Sequence, residues 1–313
     1  MSPGSARTAA VVNPRSGSGN CARLWPEIAA RLAPLTTRFT EYPGHAIAIT
    51  RDLLEQGFDR ILAVGGDGTI NETANGFLRD DRPVRPGACL GIVPIGTGGD
   101  FRRTLGIPDI GAAVQVIQSG SPRLLDMGRV SFRARSGEKR TRYFVNVVSF
   151  GMGGEVAARS RNFLSSRSGK LAFLWATALV FFQYRPRPLT LSLDGGPAIP
   201  LEGVLNVAIG NGRYHGGGMH VCPRALPDDG YLDVTVIQPL GMIELVRALP
   251  VLYSDNIYAH PKAHHHRAVR VTALSEHPVS IEVDGEPVGT LPLEVALLPG
   301  LLPVLTPVVT PFP

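Results

Sequence analysis

Short apolar runs alternate with longer amphipathic stretches over the first 120 residues of the chain. The apolar or β-rich runs are AAVVN, TTRFTEY, RILAVGG and CLGIVPIG, each of strand length. Helical periodicity follows them at Ala22–Leu32, Ala46–Leu54, Ile70–Leu78 and Phe101–Leu105. This alternation is typical of βαβ units, so we predict an α/β domain in which helices cover a parallel sheet.

Beyond about residue 126 the pattern changes to strand-like runs separated by turns. The runs are YFVNVVSF, LTLSLDG, GVLNVAIGN, YLDVTVIQ, AVRVTAL and VSIEVDG. They predict an antiparallel all-β domain, with two inserted helical stretches at Glu155–Leu164 and Leu171–Gln183. We divide the chain into an α/β domain (1–126), a β-rich domain (127–290) and an apolar, proline-interrupted segment (291–313) that we expect to return to the first domain.

Composition indicates a globular protein of 313 residues, with 44% hydrophobic and 18% charged residues. Cys21, Cys89 and Cys222 lie far apart, which predicts neither a disulfide framework nor a zinc site. The polar start, Met1–Thr8, does not resemble an export signal, so we expect a cytoplasmic protein. The longest apolar run, Leu171–Phe182, would rise about 18 Å as a helix against a hydrocarbon core of about 30 Å, which predicts that it does not span a membrane.

Basic residues are concentrated in one part of the chain. The net charge is +5, but residues 123–187 hold eleven Arg and two Lys against three acidic residues. This region could contact anionic lipid head groups from the membrane surface. The alternative is a buried helix with solvated arginines nearby. Because no nucleic-acid-binding signature is present, we expect no nucleic acid partner, and the sequence leaves homodimer formation open.

The sharpest local feature is AVGGDGTINETANG, in which Gly65, Gly66 and Gly68 follow a predicted strand and precede a helix. Glycines there let backbone N–H groups approach phosphate oxygens at the positive end of the helix. The alternative is a tight turn that Thr69 caps with Glu72 as its capping-box partner. Both can hold at once, and we predict phosphate binding.

Asp67 is an unusual neighbour for phosphate, because a carboxylate repels it. A bridging cation or a substrate hydroxyl would remove the conflict, and a self-capped turn aspartate is the structural alternative. The loops NPRSGSG (13–19) and PIGTGGD (94–100) follow other predicted strands, so three loops point to one crevice at the carboxyl ends of the strands. The Rossmann, P-loop and protein kinase motifs are absent.

Together, GGDGTINE, NPRSGSG, GIVPIGTGGDF, PRALPDDGYLDV and EVDGEPVG resemble the family of diacylglycerol, sphingosine and ceramide kinases over about residues 9–300. The resemblance implies an N-terminal α/β domain, a C-terminal antiparallel β-sandwich domain and an ATP cleft between them. It also implies ATP and Mg²⁺ as cofactors. The nucleotide contacts that it implies are Asn13, Thr40, Gly65, Gly66, Asp67, Gly68, Thr69, Ile70, Asn71 and Thr97.

The same resemblance assigns roles in the second domain. It implies a structural magnesium ion on the Leu226 and Tyr231 carbonyls and the Asp229 carboxylate, and a proton-accepting carboxylate at Glu286. A plain hairpin turn is the alternative for both Asp-Gly sequences. The chain departs from the family pattern at Gly99, where bacterial diacylglycerol kinases usually carry Asn. We expect no metal ligation by His264–His266. His215 and His220 flank a run of three glycines, and we expect them in a surface loop, with a position lining the cleft as the alternative.

From these motifs and the resemblance we expect an ATP-dependent lipid kinase that phosphorylates a hydroxyl of a membrane lipid while peripherally associated with the membrane. Glu286 would accept the proton, and Asp67 would orient a metal or the acceptor. The apolar run Leu171–Phe182 would lead the acyl chains in. The alternatives are a NAD kinase, which shares GGDGT, and a non-catalytic, nucleotide-regulated lipid-binding protein.

Overall fold

The computed structural model describes residues 6–96, 98–134, 136–163, 183–248 and 250–308. By its internal contacts the chain divides into unit 1, Met1–Met127 with Leu298–Pro313, and unit 2, Gly128–Leu297. The predicted helical stretch Leu171–Gln183 lies almost wholly outside the described residues. Within the residues that are described, no helix is both long enough and apolar enough to cross a bilayer.

Unit 1 is a parallel sheet covered by helices, which confirms the βαβ prediction. Its strands run in the order β2-β1-β3-β6, and every pairing among them is parallel. The C-terminal part of a later strand, β17, adds to β6 in parallel at Val304. The elements are β1 (Thr8–Val12), α1 (Asn20–Leu32), β2 (Thr36–Phe39), α2 (His45–Glu55), β3 (Arg60–Gly65), α3 (Asp67–Gly76), β4 (Leu78–Arg79), β5 (Arg82–Pro83), β6 (Cys89–Pro94), α4 (Asp100–Thr104) and α5 (Ile110–Ser119).

The central strands are apolar because helices cover both of their faces. Residues 9–12 of β1 and 61–64 of β3 are completely buried. The helix α1 turns Cys21, Trp25 and Ile28 inward at helical spacing. This packing holds the carboxyl ends of β1, β3 and β6 in register, with Val12 opposite Val64 and Val64 opposite Val93.

Unit 2 consists mainly of antiparallel strands, as predicted. Part of β7 and part of β17 belong to it. Its elements are β7 (Ser121–Ala134), β8 (Lys139–Phe144), β9 (Val147–Gly151), α6 (Met152–Phe163), β10 (Arg187–Leu193), β11 (Ile199–Val204), β12 (Asn206–Gly210), β13 (Leu232–Ile237), α7 (Met242–Ala248), β14 (Ala263–Ala268), β15 (Arg270–Leu274), β16 (Ser280–Val283) and β17 (Glu286–Thr306).

The strands of unit 2 form two runs of neighbours, β14-β13-β12-β9-β16-β17 and β11-β10-β15-β17, and β7 pairs with both β17 and β8. Inward-facing side chains of these strands make one apolar core that includes Phe144, Phe150, Ile209 and Val295. The predicted single strand YFVNVVSF is split, because β8 ends at Phe144 and β9 begins at Val147.

Candidate active site

Three loops meet at the carboxyl edge of the unit 1 sheet. The Asn13 side chain, after β1, donates a 3.2 Å hydrogen bond to Thr69 Oγ1, after β3. The Gly66 N–H donates to Ser16 Oγ at 3.4 Å, which ties the same two loops together. A Cβ on Gly96, after β6, would lie 2.7 Å from the Gly66 Cα. The structure therefore brings together the three glycine-rich loops that the strand pattern places at one crevice.

Glycine is required in these loops by close approach of backbone and side chains. A Cβ on Gly65 would lie 2.5 Å from Thr69 Oγ1 and 2.9 Å from Ser16 Oγ. A Cβ at position 96 would press on the backbone of position 66, which cannot move away as a flexible side chain could. Because these glycines carry no side chain, their backbone N–H groups are the groups that a phosphate could approach.

Asp67 holds the third loop in place. Its Oδ2 atom accepts hydrogen bonds from Gly99 N–H at 2.7 Å and Asp100 N–H at 3.2 Å, and its Oδ1 atom accepts from Phe101 N–H at 3.2 Å. These amides lie at the start of α4, where a helix has N–H groups without intrahelical partners. The Asp67 carboxylate thus fixes the loop after β6 from a residue 32 positions earlier.

Gly99 departs from the family pattern but suits its conformation. Its φ of +69° lies in the left-handed region, which glycine and asparagine both adopt readily. The backbone role of position 99, donation to Asp67, is open to either residue. A Cβ at position 99 would clash with Arg102 Nε, so an asparagine there would require the Arg102 side chain to move.

The other predicted nucleotide contacts differ in accessibility. Thr69 and Ile70 are buried, while Thr40 is half-buried and its N–H donates to the Val12 carbonyl at 2.8 Å. Gly68 and Asn71 lie in the first turns of α3, where Asn71 Oδ1 accepts from the Asn75 amide at 3.2 Å. Thr97 lies outside the described residues.

The capping box of Thr69 and Glu72, considered as the structural alternative, is not formed, because α3 begins earlier, at Asp67, with Gly66 as its N-cap. Glu72 instead accepts hydrogen bonds from Gly44 N–H at 2.8 Å and Ala46 N–H at 3.2 Å, at the start of α2. The carboxylate thereby ties α3 to the segment after β2.

In unit 2, Asp284 and Gly285 form the two-residue turn between β16 and β17. Both have positive φ, 47° and 84°, as such hairpin turns require. The Asp284 carboxylate accepts hydrogen bonds from the N–H groups of residues 145, 146 and 147 at 2.9–3.1 Å. These bonds occupy the amides between β8 and β9 and account for the break in the predicted strand.

Glu286 is the first residue of β17, directly after this turn, and lies opposite Val283. Its side chain is 35% exposed, so a substrate hydroxyl could reach it. Glu286 Oε2 lies 3.0 Å from Nη1 of Arg142, a residue of β8 that no sequence motif singles out. The hairpin and the accessible carboxylate are thus both present.

Of the residues expected to hold magnesium, Asp229 is already paired with protein groups. Asp229 Oδ1 accepts from Tyr231 N–H at 3.0 Å, and Asp229 Oδ2 forms an ion pair with Arg267, whose guanidinium lies 4.2 Å from the Tyr231 ring centroid. The described residues contain no group of three or more His, Cys, Asp or Glu side chains that could hold a metal ion. The Arg267 guanidinium beside the Asp229 carboxylate is unfavourable for a dication, and a magnesium ion on Asp229 and the Leu226 and Tyr231 carbonyls stays a prediction.

Two histidines contact buried carboxylates in unit 2. His215, expected on the surface, has a side chain only 14% exposed, and its Nε2 lies 2.9 Å from Glu282 Oε1. The same oxygen accepts a 2.7 Å hydrogen bond from Ser149. His265, on β14, contacts Asp233. Burial raises the pKa of the Asp233 carboxyl, and the contact with His265 offsets part of that rise.

Comparisons with known proteins agree for both units. Residues 7–130 match the diacylglycerol kinase catalytic domain, and residues 146–306 match the YegS C-terminal NAD kinase beta sandwich-like domain. The chain is 29% identical to a diacylglycerol kinase of Staphylococcus saprophyticus, with 91% of this chain and 90% of that protein covered. It is 31% identical to a probable lipid kinase YegS-like of Pseudomonas syringae pv. tomato, with coverage of 85% and 82%.

A crystal structure of a diacylglycerol kinase from Bacillus anthracis has the same fold. Its TM-score is 0.71 at 24% identity, with 96% of this chain and 97% of that chain covered. The likeness therefore extends over nearly the whole length of both chains.

Proposed function

The chain belongs to the family of diacylglycerol kinases and YegS-like lipid kinases, and on that basis we propose that it transfers the γ-phosphoryl group of ATP to the hydroxyl of a diacylglycerol, sphingoid base or ceramide. It is a lipid kinase with an N-terminal parallel-sheet domain and a C-terminal β-sandwich domain. The observation that supports the proposal most strongly is the convergence of three glycine-rich loops at one edge of a parallel sheet.

The loops of unit 1 would bind the phosphates of ATP. The residues that we propose for this are Asn13, Thr40, Gly65, Gly66, the segment 68–71 and Thr97, with Asp67 acting on a neighbouring loop. Backbone N–H groups and the start of α3 favour anionic oxygens at this edge. Asp67 would contribute by holding the loop at residues 98–101 rather than by touching phosphate, since its carboxylate already accepts three N–H groups.

Glu286 would accept the proton of the lipid hydroxyl. An alcohol is too weakly acidic to ionise beforehand, so a positioned carboxylate that takes the proton as the new P–O bond forms assists the transfer. Orientation and charge neutralisation supply most of the rate in phosphoryl transfer. Magnesium would arrive with ATP and neutralise charge on its phosphates.

We further propose peripheral contact with an anionic membrane surface. The exposed edge strand β8 carries Lys139, Arg140 and Arg142, within the basic part of the chain. Basic residues near such a surface contribute about 1 kcal/mol each to attraction, so several would hold the enzyme beside its lipid substrate.

The test is a transfer assay with labelled ATP, Mg²⁺ and dioctanoylglycerol, sphingosine or ceramide in mixed micelles. Glu286→Gln keeps the shape of the side chain and should abolish lipid phosphorylation while leaving ATP affinity unchanged. Glu138→Gln is the matched control, since Glu138 is an exposed residue that pairs with Arg140 on the surface. Retained turnover in Glu286→Gln would remove this residue from the mechanism.

Two alternatives predict different results in the same assay. A NAD kinase would label NAD and no lipid. A non-catalytic lipid-binding protein would bind ATP and float with vesicles but yield no labelled product.

A further inference from the structure

Arg142 makes a contact that sequence separation would not suggest. It lies on β8, which pairs only with β7 among the described strands, and its Nη1 atom is 3.0 Å from Glu286 Oε2 across 144 residues of sequence. The side chains of Arg142 and Glu286 are 44% and 35% exposed. The pair is therefore open to a substrate at the turn where β17 begins.

The neighbouring arginine on the same strand shows what an ordinary edge contact looks like. Arg140 pairs with Glu138, two residues away, at a more exposed position. Charged residues on an edge strand discourage pairing with other chains, and exposed ion pairs contribute little to stability. Edge protection explains Arg140, but it does not explain why Arg142 reaches the first residue of β17.

Charge provides a reason for this contact. A carboxylate that accepts a proton during phosphoryl transfer must come close to a γ-phosphate that carries negative charge, and the two repel each other. A guanidinium on the carboxylate offsets that repulsion and holds the oxygen in one direction. Among the residues that the structure describes, Arg142 is the one that forms an ion pair with Glu286.

We propose that Arg142 is a positioning residue for lipid phosphorylation, which orients the Glu286 carboxylate and lets it work beside the γ-phosphate. This inference rests on the proposed function. In the step, the lipid hydroxyl oxygen bonds to the γ-phosphorus and its proton passes to Glu286. The bond from the γ-phosphorus to the β–γ bridging oxygen breaks, and ADP leaves with that electron pair.

The test compares Arg142→Met, which removes the charge, with Arg142→Lys, which restores it, and with the control Arg79→Met, at an exposed arginine of unit 1 that pairs with Glu55. Initial rates with labelled ATP and dioctanoylglycerol micelles give kcat and the KM for ATP. We expect Arg142→Met to lower kcat about 10- to 100-fold, as for loss of one charge-assisted contact in a reaction site, with the KM for ATP nearly unchanged. Arg142→Lys should recover part of kcat, and Arg79→Met should match the unsubstituted protein.

A structural role for Arg142 would lower activity through loss of folded protein, so the melting temperature of each variant is measured alongside. Wild-type kcat in folded Arg142→Met would overturn the inference, as would equal losses in Arg142→Met and Arg79→Met. If Arg142→Met does not fold, the kcat of Arg142→Lys and Arg142→Gln decides: equal values overturn the inference, and a higher value for Lys supports it.

The two single variants, Glu286→Gln and Arg142→Met, separate this inference from the proposed function. Activity in Glu286→Gln alone would refute the proposed base. An inactive Glu286→Gln together with an unaffected Arg142→Met would refute the role of Arg142 alone.

Discussion

Replacing Asp67 tests whether this carboxylate works through the third loop. Asp67→Ala removes the acceptor of three N–H groups, those of Gly99, Asp100 and Phe101, at 2.7–3.2 Å. The site is partly buried, so a lower-range value of about 1 kcal/mol for each lost bond predicts a fall of about 3 kcal/mol in the free energy of unfolding. Asp67→Asn keeps one oxygen, which can serve the two N–H groups now on Oδ2, and should lose about 1 kcal/mol.

The assay is urea unfolding followed by the fluorescence of Trp25, a buried residue of unit 1, together with calorimetric titration of ATP. Stability and ATP affinity should both fall in the order wild type, Asp67→Asn, Asp67→Ala, and added Mg²⁺ should not restore the affinity. Asp52→Ala, at an exposed position of α2, is the control and should change neither quantity. Unchanged stability in Asp67→Ala, with ATP affinity that depends on Mg²⁺ concentration, would refute this role and would indicate that Asp67 binds a metal ion instead.

Three further predictions concern other groups. Asp284→Ala should be less stable than Asp284→Asn in urea, because Asn retains an oxygen for two of the three N–H groups and adopts positive φ more easily; equal stabilities would contradict this. Burial raises the pKa of Cys21 to about 11 and of Cys222 to about 12, so iodoacetamide at pH 8 should modify neither until urea unfolds the protein, as mass spectrometry of the intact chain would show. Hydrogen bonding to Arg85 lowers the pKa of Asp59 below its ordinary value. In urea titrations, wild type should therefore be more stable than Asp59→Asn at pH 7, by less than about 1 kcal/mol at this exposed site, and the difference should vanish as the pH falls below about 4. A difference that grew on acidification would contradict the assignment.

The convergence of the phosphate loops could be predicted from the sequence because parallel strands end at one edge of a sheet. The partners of Asp67 could not, since the contact joins two loops 32 residues apart whose separation depends on how β3 and β6 pair. The partner of Glu72 could not be predicted either. Because α3 begins one turn earlier than the pattern indicates, Glu72 does not cap this helix and instead accepts a hydrogen bond from the Gly44 N–H.

In the second unit, the Asp-Gly turn was evident from its residues, but its consequences were not. The contact between Arg142 and Glu286 depends on strand order across 144 residues. The pairing of Asp229 with Arg267 depends on the antiparallel neighbours β13 and β14, so no local pattern predicts it. Local pattern predicts elements and turns, whereas long-range side-chain partners follow from tertiary packing.

The most direct test of lipid kinase activity is to incubate the purified protein with γ-labelled ATP, Mg²⁺, NAD and a total lipid extract, and to identify every labelled product by mass spectrometry. We expect the label in a phosphorylated lipid, with its amount dependent on Glu286. Label in NAD, or bound ATP with no labelled product, would contradict the proposed function.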